Sequence, residues 1–216
     1  MTGVHIEVTD LAFAYRRGGE TVFDGLDLEI RPGRVATLTG PSGSGKSTLL
    51  YILALMLRAE RGRIVWDGTA VETLGDARRA QLRARDVGFV FQDALLDPAR
   101  TVLDNVGDAG VTAGLPRRDR LARGRELLDR FGVGHRAEHR PGEISGGQAQ
   151  RVALCRALLT RPRVIFGDEP TGNLDPASAQ VVWGALRAAA DDGATVVVAT
   201  HDPALAAAGD DRIVLA

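Results

Sequence analysis

The run Gly40-Pro41-Ser42-Gly43-Ser44-Gly45-Lys46-Ser47-Thr48 has the spacing G-x-x-x-x-G-K-[ST] of a phosphate-binding loop. Its chemistry is that of an anion cradle. Glycines let the backbone turn tightly enough for successive N–H groups to face one concavity. A helix directly after the loop adds the positive end of its dipole. Lys46 would reach the β- and γ-phosphates, and the Ser47 hydroxyl would ligate Mg2+. Among the 27 basic residues Lys46 is the only lysine. A compact ammonium at a phosphate is not interchangeable with a planar guanidinium, so a functional constraint explains the exception.

Three further positions follow apolar runs that read as strands. Asp168-Glu169 follows Val164 to Phe166; an acidic residue there, beside a phosphate loop, holds Mg2+ directly or through water. Glu169 would then face the γ-phosphate and polarise a water for in-line attack. His201 follows the run Thr195 to Ala199 and Thr200, placed to hydrogen-bond the γ-phosphate and orient that water. Gln92 follows Val87 to Phe91, where a neutral amide can ligate Mg2+ or the attacking water. Tyr15 either stacks on an adenine ring or packs as a strand-end tyrosine.

A second anion-friendly feature is Ile144-Ser145-Gly146-Gly147-Gln148. Ser145 is suited to cap a helix, and the glycines permit close backbone approach. A single nucleotide does not need two such sites in one chain. A head-to-tail dimer is the economical arrangement, with this turn covering a nucleotide held by the other copy.

Elements to position these residues are legible in the periodicity. Val4, Ile6 and Val8, then Leu11 and Phe13, alternate as a half-buried strand, and Arg16 to Gly19 reads as a turn. Leu26, Leu28 and Ile30 make a second strand, and Ile64 to Trp66 a short one ended by Asp67-Gly68. The helix after the phosphate loop is expected to end near Ala59. From Asp93 to Thr160 the pattern is helical, including 119–131 and a helix from Gly146 to the residues before Pro162. Buried strands and helices then alternate: 164–166, helix 177–190, 195–199, helix 203–208 and a last strand 213–215. Alternation of this kind implies a parallel sheet with ligands at the strands' carboxyl ends.

Bulk composition narrows the function. An apolar share of 44% with 25% charged residues is that of a globular protein. A net charge of −1 gives no global field favouring nucleic acid. Arg117, Arg118, Arg120, Arg123 and Arg125 interleave with leucines and acidic residues, as a solvated amphipathic face does. No apolar run reaches the roughly 20 residues of a membrane span, and no signal-peptide pattern is present. The lone Cys155 is expected in the core.

Taken in order, these residues resemble the ATP-binding cassette (ABC) ATPases over essentially the whole chain. The aromatic A-loop position falls on Tyr15, Walker A on Gly40 to Thr48 and the Q-loop on Gln92. The signature LSGGQ falls on Ile144 to Gln148, Walker B on Val164 to Asp168 with the catalytic glutamate at Glu169, the D-loop on Asn173-Leu174-Asp175 and the switch histidine on His201. The resemblance implies an α/β fold: a P-loop NTPase (RecA-like) core with an N-terminal antiparallel β portion and an inserted helical subdomain. One domain of residues 1–216 would divide into a core, 1–92 and 161–216, and helices at 93–160. It implies ATP and Mg2+ sandwiched in a homodimer or cassette heterodimer, with Ser145 to Gln148 and Asp175 acting in trans. It also implies a separate transmembrane permease subunit, no nucleic acid, and a cytoplasmic location on the inner face of the membrane. Pro170 to Asp175 is similar to the subgroup serving lipoprotein-release, macrolide-efflux and FtsX-like partners. The same residues would serve a cassette signalling through an FtsX-like partner; a nucleic-acid-linked cassette usually carries coiled-coil inserts or a second cassette.

Overall fold

The computed structural model describes residues 2–16 and 20–215. Arg17, Gly18 and Gly19 of the expected first turn lie outside that set. Among the described residues the strands form two sheets.

The first sheet is antiparallel. Strand β1 (Ile6–Ala14) lies between β2 (Thr21–Ile30) and β4 (Arg61–Trp66), and β5 (Thr69–Ala70) flanks β4. The sequence alternation changes phase between Val8 and Leu11, and the structure gives the reason. Asp10 adopts φ 51 and the pairing register shifts there on both sides of β1, so one bulge returns apolar side chains to the same face. The Asp67-Gly68 turn has both residues at positive φ, the geometry of a tight hairpin.

The second sheet is parallel, in the order β6 (Val87–Val90), β7 (Val164–Asp168), β8 (Thr195–Ala199), β3 (Val35–Thr39), β9 (Asp211–Val214). Every residue of β3, β7 and β8 is buried, which is why these strands read as unbroken apolar runs rather than alternations. One face packs against α1 (Lys46–Leu53) and the antiparallel sheet, through Leu38, Leu49, Leu53, Phe166 and Val197. The other face, through Val35, Ile165, Val196 and Val198, packs against a helical layer.

That layer comes from the chain between β6 and β7 together with α7 (Pro176–Asp191). Helix α2 (Asp76–Asp86) precedes β6. After β6 come α3 (Val102–Gly107), α4 (Ala109–Thr112), α5 (Arg117–Arg130) and α6 (Gly146–Leu158). On α5, Leu127 and Leu128 are buried while most arginines face solvent, as the amphipathic pattern predicts. Cys155 is buried in this layer, and burial pushes its thiol up to about 12.

Several boundaries differ from the sequence expectation, β2 starting at Thr21 rather than Leu26 and β4 at Arg61 rather than Ile64, and two of the differences have a visible cause. Helix α1 stops at Leu53 instead of running toward Ala59, because Leu55 takes a left-handed conformation (φ 62). The freed carbonyls are met by arginines of α2: Arg79 donates to Leu55 O and Leu57 O, and Arg83 to Leu55 O. Strand β9 begins at Asp211 rather than Ile213, because Ala36 and Thr37 of β3 pair with Asp211 and Arg212. An edge strand tolerates polar residues, so apolarity underestimates its length. The last helix, α8 (Pro203–Ala207), sits close to its expected range.

Parallel strands have all their carboxyl ends at one edge. The phosphate loop, Gln92, Glu169 and His201 each follow the end of one of four strands at that edge, β3, β6, β7 and β8.

Candidate active site

Tyr15, Ser42, Gly43, Gly45, Lys46, Ser47, Thr48, Gln92, Asp168 and Glu169 line one open cavity of about 390 Å3, with Val22 beside them. Nearly all of the residues singled out in one chain for nucleotide chemistry therefore meet. Gly40, Pro41 and Ser44 complete the loop without lining it, and His201 enters through Glu169.

The loop leaves β3 and enters α1 at Gly45, which is left-handed (φ 85) and has no side chain to cap the helix. The first N–H groups of α1 are thus open to an anion. The Lys46 ammonium donates to Gly40 O and Pro41 O, each at 2.9 Å, which folds the side chain over the loop it serves.

Ser47 Oγ donates to Asp168 Oδ1 at 2.8 Å, and Tyr51 Oη to Asp168 Oδ2 at 3.3 Å. Burial raises the Asp168 carboxyl above its usual range, against these two donations, with the neighbouring Glu169 adding to the rise. Tyr51 is a residue the sequence reading missed. It lies one helical turn after Ser47 on α1, so i,i+4 spacing could have flagged it.

Glu169 has φ 46, in the left-handed region that non-glycine residues rarely occupy. Its N–H donates to Ala199 O, continuing the pairing of β7 with β8. Its carboxylate lies 2.9 Å from His201 Nδ1 and accepts the His201 backbone N–H at 3.3 Å. The imidazole is exposed and the carboxylate largely buried. One bond to β8 and two contacts with His201 just beyond it hold the residue in this conformation.

Tyr15 lies just beyond β1, 64% exposed as a residue, at the lip of the cavity. The ring stands edge-on to Phe13, and its hydroxyl is 2.7 Å from Thr48 Oγ1. It is not a core tyrosine.

The structure keeps Ser145 to Gln148 out of the lining of that cavity. Ser145 caps α6 reciprocally: its Oγ accepts from Gln148 N at 3.2 Å, and its N–H donates to Gln148 Oε1 at 3.0 Å. Asp175 caps α7 by accepting from Ser178 N at 3.0 Å. Gln150, two residues beyond the signature, is buried and bonded to segments on both sides of it, for which sequence spacing gives no hint; a polar residue just ahead of the apolar run Val152 to Cys155 was the available signal.

Fold and site together define a P-loop nucleotide-hydrolysing protein with a cassette-type helical layer. The family model described as "ABC transporter" matches residues 23–172. A lipoprotein-releasing system ATP-binding protein LolD from Paramagnetospirillum magneticum is 43% identical, with 95% of this chain and 92% of the relative covered. Another LolD, from Cereibacter sphaeroides, is 46% identical over 93% and 91%. The dimeric post-hydrolysis state of the ATP-binding cassette MJ0796, bound to ADP and Pi, superposes with a TM-score of 0.90 at 33% identity, covering 97% of this chain and 94% of that one. The chain belongs to the ABC transporter family and is an ATP-binding, ATP-hydrolysing motor subunit of such a transporter.

Proposed function

We propose that two copies of this chain, or this chain and a second cassette, sandwich ATP beneath a separate membrane subunit of the lipoprotein-release type. The observation that carries the catalytic assignment is the strained Glu169, held against His201 at the rim of the cavity that contains Lys46, Ser47 and Asp168. The similarity to LolD proteins of lipoprotein-releasing systems supports the lipoprotein-release partner. A cytoplasmic position on the inner face of the membrane fits that partner, and among the described residues no helix is long and apolar enough to cross a membrane. The dimer is supported by the MJ0796 dimer and by a signature turn that does not line its own phosphate-loop cavity. Residues 93–160 would then move as a helical subdomain, carrying Ser145 to Gln148 onto the partner's nucleotide, with Asp175 following.

In this reading the N–H groups of residues 43–48 donate to the phosphates, and Lys46 transfers its donations from Gly40 O and Pro41 O to the β- and γ-phosphate oxygens. Tyr15 offers its exposed ring to the adenine. A hydroxyl and a carboxylate oxygen 2.8 Å apart, Ser47 Oγ and Asp168 Oδ1, form the hard-oxygen pair that suits Mg2+, and Gln92 lines the same cavity. Bound there, Mg2+ supplies charge neutralisation at the phosphates. Glu169 accepts a proton from water as its oxygen attacks the γ-phosphorus, and the bond from that phosphorus to the β–γ bridging oxygen breaks in line. His201 holds the Glu169 carboxylate and the water in register.

Glu169→Gln tests this directly. The variant should bind ATP, dimerise stably and lose roughly 10²–10⁴-fold in turnover, the usual worth of a positioned base. Hydrolysis at the parent rate would refute the assignment.

A further inference from the structure

Gln150 stands at a junction of three functional segments. Its side chain belongs to α6, two residues past the signature, and is 4% exposed. Its Nε2 donates to Phe91 O at 2.8 Å, the carbonyl immediately before Gln92. The same nitrogen donates to Pro170 O at 3.2 Å, the carbonyl immediately after Glu169. The two carbonyls belong to chain segments 59 and 20 residues away from Gln150 in sequence. A buried carboxamide is costly unless bonded, and an aliphatic residue would fill a helix-packing position without that cost. What an aliphatic residue cannot do is hold two carbonyls, from two different strand ends, to one helix.

A second contact brackets the Gln92 segment from its far side. Arg156, also on α6, donates to Ala94 O at 2.9 Å and Leu95 O at 2.7 Å. The stretch 91–95 is therefore tied to the signature helix on both sides of Gln92. A cavity of about 230 Å3 lined by Gln92, Gly146, Gln150 and Pro170 leaves room between the ties for the segment to shift.

We propose that Gln150 is a positioning residue that couples the chain's own nucleotide site to the signature turn it presents to a second cassette. The inference rests on the sandwich reading above. A displacement of Gln92 or Glu169 on filling or emptying the site pulls on one amide nitrogen, and α6 carries the displacement one turn to Ser145 and Gly146. Occupancy of one nucleotide site is thereby read at the other, where this chain's signature lies.

The test uses the full chain with two substitutions, Gln150→Met, which keeps length and removes the donor, and Gln150→Glu. For each variant, ATP affinity is measured on dilute protein, kcat, KM and the Hill coefficient are measured for hydrolysis, and thermal unfolding is followed. Gln150→Met should keep ATP affinity within about twofold, lose about tenfold in kcat and drop the Hill coefficient toward 1. Gln150→Glu should behave similarly at pH 8 and recover part of both kcat and cooperativity toward pH 6, as a protonated carboxyl regains one donor; Gln150→Met should show no such recovery. A Gln150→Met protein with the parent's Hill coefficient overturns the proposal, whatever its kcat. A parent protein that hydrolyses ATP without cooperativity, in strict proportion to concentration, overturns the sandwich itself, and is distinguishable because no variant is needed to see it.

Discussion

Gly43 and Gly45 form a matched pair for measuring what the phosphate loop demands of its backbone. Both have φ 85. A Cβ built on Gly43 meets nothing within 4 Å, whereas one on Gly45 falls 2.6 Å from Val22 Cγ1 and 2.7 Å from Phe23 Cζ. Left-handed backbone costs an L-residue roughly 1–2 kcal/mol, so Gly43→Ala should lose about that much stability. Gly45→Ala adds overpacking against β2, typically about 1–3 kcal/mol, for a total of about 2–5 kcal/mol. Urea unfolding of the nucleotide-free chain gives the two losses, and ATP binding is measured alongside. Should the loop relax locally around the new methyl, the stability loss is capped and the deficit moves into ATP affinity, because α1 then no longer presents its N–H groups. Gly45→Ala must therefore be the worse variant in stability, affinity or both. A larger loss of stability for Gly43→Ala than for Gly45→Ala, or equal losses in both measurements, would refute the reasoning.

Asp168→Asn should raise the thermal midpoint of the nucleotide-free protein at pH 7 while abolishing hydrolysis. Burial lifts the Asp168 carboxyl, and a raised folded value means that the favourable state is present at low pH and lost as pH rises through that value. The gain from Asn should accordingly shrink as the pH falls toward 4, and a gain that grew on acidification would contradict the sign. Tyr15→Ala should weaken ATP binding by about 1–3 kcal/mol, the usual worth of one base–aromatic stack. Tyr15→Phe, which loses only the hydroxyl contact to Thr48, should stay near the parent; equal losses in titration calorimetry would place the interaction in the hydroxyl instead.

Local chemistry makes much of this protein legible in its sequence alone. The phosphate loop is a contiguous motif whose spacing carries its own geometry, and the sole lysine marks its centre. β3, β7 and β8 announce themselves because both faces of a central parallel strand are covered, which leaves unbroken apolar runs. The residues just past those runs then had to share an edge, so the meeting of Lys46, Asp168, Glu169 and His201 followed from topology. Other features depend on partners distant in sequence. The early end of α1 was set by Leu55 in a left-handed conformation and by arginines of α2, and the start of β9 by pairing with β3. The strain at Glu169 and its grip by His201, 32 residues away, needed β7 and β8 side by side. Gln150 is the sharpest case. Its type and position say only that a polar residue precedes an apolar stretch of helix; its two acceptors lie 59 and 20 residues away, and only the packing of α6 over two strand ends brings them to one nitrogen.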